Sequence, residues 1–163
     1  MTNTIGPTAG DYRRAAVLTL HYRRSNREGV VAIVEETNAE DRAAQLLLAV
    51  LGLHKFLITR LRTDDAIILL ADWVHGMAVH EATNADVRHA CLMLQAHGQD
   101  DHVAIAGEMN LATAEGRPTE AFLALLDLYE AALPELTSTA GTAWIETQVK
   151  ALLFEESRPD DED

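Results

Sequence analysis

Residues 42–60 contain A43-A-Q-L-L-L-A-V-L-G-L53 and continue through Phe56, Leu57 and Ile58, so as a helix they are apolar around nearly the whole circumference. A helix with one apolar stripe can lie on a core with its other side in water. One that lacks a polar side needs neighbours on several sides. The segment therefore predicts a multi-helix body with the stretch around Val50 inside it. A length of 163 residues suits one domain or two small units sharing a core, since a unit of about 75 residues is marginal alone. Phe, Tyr and Trp are few, so the core is expected to be built from Leu, Ala, Val and Ile on closely approached helices.

Start and stop signals divide the chain into about eight helices. Residues 11–24 place Ala15, Leu18 and Tyr22 on one face. Ser25 with Glu28 reads as a capping box that opens a short second helix through Val34, although Gly29 weakens it and the β-branched Val30, Val31, Ile33 and Val34 would also suit a strand. A lone strand would leave its edge groups unpaired, which favours helix. Asn38, three residues before Asp41, is expected to start the long apolar helix, and Thr63 to cap the next one, with Asp64 and Asp65 at its positive end.

The second half repeats the pattern. Asn84 caps a helix that Gly98 stops, and Asp100 or Asp101 caps the next. Pro118 suits the first turn of a helix that ends at Pro134, and Thr137, Ser138 or Thr139 begins the last one. Residues 1–10 read as a flexible N-terminus, 11–155 as an all-helical domain and 156–163 as an acidic, disordered tail.

The two halves can be laid on one another. D11-Y-R-R-A-A-V-L matches D86-V-R-H-A-C-L-M at an offset of 75, and later helices match core to core at 76, Thr63 falling on Thr139 and Trp73 on Val149. Repeat units 11–80 and 85–155 are one reading, and apolar helices that merely share spacing are the other. The resulting expectation is an all-α fold, extended to two tandem four-helix units with a common core.

Charge is unevenly placed. Residues 1–62 hold nine Lys or Arg against six Asp or Glu, while 63–163 hold four against twenty, or about +3 and −16. A net charge of −13 repels a phosphate backbone, so nucleic acid is not the expected partner. The basic group Arg13, Arg14, Arg23, Arg24 and Arg27 is the exception, suited to an acidic protein, to phosphate, or to the acidic part of its own fold.

The lone Cys91 excludes an internal disulfide and sits in an apolar run as a small buried hydrophobe. The opening residues show no basic stretch followed by an apolar one, and the run 43–53 is too short to cross a bilayer. A cytoplasmic protein with no membrane contact is the expectation.

Five histidines fall between His75 and His102, which invites a metal site. His75 and His80 point roughly 140° apart on a helix and do not share a face. His97 and His102 flank a break, and with Asp101 and Glu108 they offer mixed nitrogen and oxygen ligands for a transition metal. Glu35 and Glu108, at comparable places in the two short helices, form a second candidate pair for a divalent ion or acid–base work. Phosphate loops, dinucleotide fingerprints, paired-cysteine motifs and nucleophile elbows are all missing from the sequence.

These observations favour a non-catalytic helical protein-binding or adaptor module, with no cofactor, that binds another protein and self-associates as a dimer. The competing expectation is a metal-binding protein or metal-dependent enzyme using His97, Asp101, His102 and Glu108.

Overall fold

The computed structural model describes residues 6–159. The protein is all-α, and among the described residues its elements are eight α-helices and one 3-10 turn. The helices are α1 (Ala9–Arg23), α2 (Arg27–Ala39), α3 (Ala43–Leu61), α4 (Asp64–Val79), α5 (Ala85–Gly98), α6 (His102–Ala114), α7 (Pro118–Ala132) and α8 (Thr139–Glu156), with the 3-10 turn at Pro134–Thr137 before α8. The expectations for residues 1–5 and 160–163 lie outside the described residues.

The chain divides into two compact units. One comprises residues 6–53 and 134–159, the other 54–133. In the first unit α1 packs on α2 and α8, and α8 also lies against the 3-10 turn. Gly141 permits that last approach, because a Cβ there would fall on the backbone of Glu135 and Leu136. In the second unit α5 packs on α4, α6 and α7. These units do not coincide with the sequence segments 11–80 and 85–155.

Four of the helix-to-helix junctions share one geometry. Ser25, Asp41, Asp100 and Gly116 all take left-handed backbone, with φ of 55°, 54°, 53° and 73°. In each, the next residue donates its N–H to a carbonyl five residues back: Asn26 to His21, Arg42 to Thr37, Asp101 to Ala96 and Arg117 to Ala112, at 2.8–3.0 Å. This is the Schellman closure, which satisfies carbonyls that a helix end leaves free. The first two junctions and the last two stand 75 positions apart.

That geometry corrects several expected boundaries. Ser25 cannot cap α2 because it is the left-handed residue; Asn26 does so instead, accepting from the Gly29 N–H at 3.1 Å. Gly29 is a close-packing position, where a Cβ would meet the His21 ring. Asn38 starts nothing, since α2 continues through Ala39 and α3 begins at Ala43. Asp101 caps α6, while Asp100 is the left-handed residue before it. Ser138 caps α8, so this start stands 75 positions from Thr63, whereas matching Thr63 to Thr139 by residue type had set 76. Helix α1 begins at Ala9, ahead of the expected start, because Thr8 and Asp11 form a capping box.

The long apolar helix is enclosed over only part of its length. Leu46, Leu47, Ala49, Val50, Leu51, His54 and Leu57 are buried, while Phe56 and Leu61 are about half exposed (50% and 46%). By length and composition α3 could cross a membrane, a test that the core helix of a globular protein also passes. The run Leu46–Leu51 is covered by protein apart from the half-buried Leu48.

Candidate protein-binding surface

Helix α4 is apolar on two faces. Thr63 caps it, accepting from the Ala66 N–H at 3.2 Å, and Asp64 and Asp65 occupy the first turn, where the helix dipole favours negative charge. Ile67, Leu70, Val74 and Ala78 recur every three or four residues on the inward face, with Val74 and Ala78 buried. Ile68 and Leu69 project from the solvent side, 59% and 69% exposed, and Trp73, 40% exposed, stands at its edge beside the cleft. Isolated exposed leucines are ordinary on protein surfaces. Three large apolar side chains exposed on one helix are less ordinary, and Phe56, Leu61 and Val79 of the same α3–α4 segment are exposed as well.

Beside α4 the second unit contains a cleft of about 540 Å³, walled by Ile58 of α3, Leu70 and Trp73 of α4, Leu94 of α5, and Leu128 and Tyr129 of α7. Its volume lies in the range of small-molecule pockets and of the hollows that receive a partner's side chains. Tyr129 is fixed by stacking on the buried His54 ring, with centroids 4.0 Å apart and planes 11° apart. Burial holds the Tyr129 phenol in its neutral form. At the cleft edge Gln95 and His75 are hydrogen-bonded at 3.0 Å. His97 also lines the cleft; burial lowers its pKa, the charges of Lys55 and His102 lower it further, and Asp100 opposes them.

Helix α4 and the end of α3 carry exposed charge of both signs. Asp64, Asp65 and Asp72 stand on α4, which has no Lys or Arg, while Lys55 and Arg60 stand near the end of α3. None of the five has an ion-pair partner among the described residues. Arg60 lies over the Phe56 ring instead, 5.2 Å from its centroid.

The expected arginine group behaves differently. Arg13 donates to Glu36 at 2.7 Å and to Glu156 at 2.6 Å. Arg14 is buried and binds Asp11, Glu36 and Glu40, at 3.0, 3.3 and 3.1 Å. Arg23 is buried and donates to the Thr137 hydroxyl, while Arg24 reaches Glu146 at 2.5 Å. Arg27, exposed on the first turn of α2, makes no ion pair among the described residues. Four of the five therefore bind groups within their own unit, but only Arg13, through Glu156, and Arg24, through Glu146, reach carboxylates of the acidic part of the chain, while Arg14 binds Asp11, Glu36 and Glu40 of the basic part. Asp11 is wholly buried between Arg14 and Arg42. Burial pushes its pKa up, but hydrogen bonds from Arg42, Thr8 and Arg14 outweigh this and hold it well below the usual carboxylate range.

The expected metal ligands have separate duties. Asp101 caps α6, accepting from the Ala104 N–H at 3.0 Å, and Glu108 binds Nδ1 of His89 at 2.8 Å. His97 lines the cleft and His102 is exposed at the start of α6. Among the described residues no three His, Cys, Asp or Glu side chains are grouped to hold a metal ion. Glu35 is exposed on α2.

His89 was not among the candidate ligands. It bridges Glu108 and Glu115, the latter at 3.1 Å from Nε2. Because the two carboxylates meet opposite ring nitrogens, all three cannot share one ion. Burial disfavours the imidazolium, but hydrogen bonds and charge from both glutamates reverse this and raise its pKa. Cys91 is buried and its thiol is pushed up to about 11, far from a nucleophile's range.

Matching Trp73 to Val149 as core positions hides the exposed side of α4. The signal was the run I67-I-L-L70, since four consecutive apolar residues occupy both sides of a helix. Compared with known proteins, the chain matches no family model, no curated protein and no solved structure.

Proposed function

We propose that this chain is a non-catalytic helical protein-binding module that meets its partner through the outward face of α4 and the adjoining end of α3. The observation that carries the reading is the exposure of Ile68, Leu69 and Trp73 together on one helix. Burying such side chains against a partner supplies most of the energy of a small interface, with nearby charges selecting the partner and the register. The cleft beside the helix supports the reading, because it offers a hollow for an apolar anchor from the other side.

The test is a photo-reactive amino acid placed at Leu69 in the producing cells, with the same group at exposed Ala140 of α8 as control. A discrete covalent adduct to a polypeptide is expected at 69 and none at 140. No adduct at 69, or the same diffuse labelling at both positions, overturns the reading.

A further inference from the structure

We infer that the cleft beside α4 is a binding site for a small amphipathic carboxylate, its apolar chain in the hollow and its carboxylate on Lys55 and the His97 ring. The inference goes beyond the protein-binding reading and does not depend on what covers the exposed side of α4. It starts from the walls. Ile58, Leu70, Leu94 and Leu128 surround a volume of about 540 Å³ within the second unit. Small-molecule sites of that size combine apolar walls with a few polar groups that fix one end of the ligand. Tyr129 is buried in the wall and held by its stacking on His54, so the hollow is framed by the body of the unit.

The polar groups lining the cleft are not equivalent. Gln95 and His75 are joined to each other. The side chains of Lys55 and His97 both line the cleft and make no hydrogen bond or ion pair among the described residues. They stand close enough for the Lys55 charge to act on the imidazole. Burial and that charge keep the ring neutral at pH 7, with one N–H to donate. An ammonium and an N–H donor together suit a carboxylate, which accepts from both. Asp72 also lines the cleft and opposes an anion, but it is not among the charges that act on His97. Asp100 is, and there the charges of Lys55 and His102 outweigh it.

The test is titration calorimetry of the full chain at pH 7 with decanoate, decanol and decylamine, three probes with one tail and different heads. Decanoate is expected to bind one per chain with a dissociation constant below about 1 mM, and more tightly than the cationic decylamine. Octanoate, two methylenes shorter, should bind about fifteenfold more weakly if the chain lies in the hollow. Lys55→Met should weaken decanoate about fivefold, the scale of an exposed ion pair, and leave decanol unchanged. Ala71→Trp, at an exposed position in the cleft wall, should fill the hollow and abolish binding of all three probes without lowering the melting temperature. The nuclear magnetic resonance signals of the His97 ring should shift along the same isotherm as the heat.

Absence of saturable decanoate binding, tighter binding of decylamine, equal losses of decanoate and decanol in Lys55→Met, or His97 signals that stay in place as decanoate binds, each overturns the inference. None of these measurements involves a partner protein, so the photo-adduct at position 69 decides the protein-binding reading separately.

Discussion

In the first unit the buried side of α1 carries Asp11 and Arg14, joined to Arg42 and to the acids of α2, so charge is drawn inward and satisfied there. In the second unit α4 faces outward with apolar side chains bare and acids unmatched, beside a cleft. Both units close their helices with the same junction, so the local rules of the backbone do not distinguish them. The difference lies in what the side chains leave unfinished. The first unit pairs charge in its interior, around the wholly buried Asp11, whereas the second pairs Arg117 with Asp86 and His89 with Glu108 and Glu115 nearer its surface and leaves Ile68, Leu69 and Trp73 of α4 exposed.

The largest effect should come from breaking the interior charge. Asp11→Ala leaves Arg14 buried and Arg42 half-buried without their shared carboxylate, a loss of about 3–5 kcal/mol on the scale of broken buried ion pairs. Urea unfolding measures it. A loss below about 1 kcal/mol would mean that the network is solvated and that the two units do not differ in this way.

The next contrast pairs two leucines. Leu51→Ala should cost about 2–5 kcal/mol, because Leu51 is wholly buried, whereas Leu69→Glu should change stability by no more than about 0.5 kcal/mol in the single chain. Equal thermal shifts for the two would remove the distinction between enclosed and open helix.

The pH dependence separates the units in opposite directions. Asp11 has a lowered folded pKa, so its contribution is complete above the ordinary carboxylate range, near 3.8, and is lost as pH falls through the folded value. His89 has a raised folded pKa, so its contribution is complete below about 6.5 and is lost as pH rises through the folded value. Hydrogen exchange of α5 amides should therefore accelerate, beyond its intrinsic pH dependence, from about pH 6.5 upward, and His89→Gln should abolish that excess. An unchanged slope in the variant would show that the bridge to Glu108 and Glu115 does not hold α5 to α6.

The smallest effects should come from the junctions. Gly116→Ala is expected to cost about 1 kcal/mol, because an alanine Cβ is strained at positive φ. Ser25→Gly should gain about 0.5 kcal/mol for the same reason, part of the relief being offset by the flexibility of glycine in the unfolded chain.

The all-helical class was legible from periodicity and caps, and Thr63, Asn84 and Pro118 mark helix starts where the sequence predicts them. The misplaced boundaries have one cause. A left-handed junction can be made by Ser25, Asp41 or Asp100 as well as by glycine, and a polar residue at that position looks like a cap. The burial of Val50 followed from the apolar character of its helix. The exposure of Leu69 did not, because composition reports how much apolar surface a helix has and not how much its neighbours cover. The arginine group was visible as a cluster, but its partners Glu36, Glu146 and Glu156 are distant in sequence and meet it only through the packing of α1 on α2 and α8.

Hydroxyl-radical footprinting tests the outward role of α4 most directly, comparing the protein in extract of its producing cells with purified protein diluted to about 0.1 µM, where a micromolar complex has dissociated. Labelling of Ile68, Leu69 and Trp73 should be at least fivefold lower in the extract, while exposed Val31 of α2 in the first unit should be labelled equally in both. Equal labelling of the α4 residues under the two conditions would contradict the account.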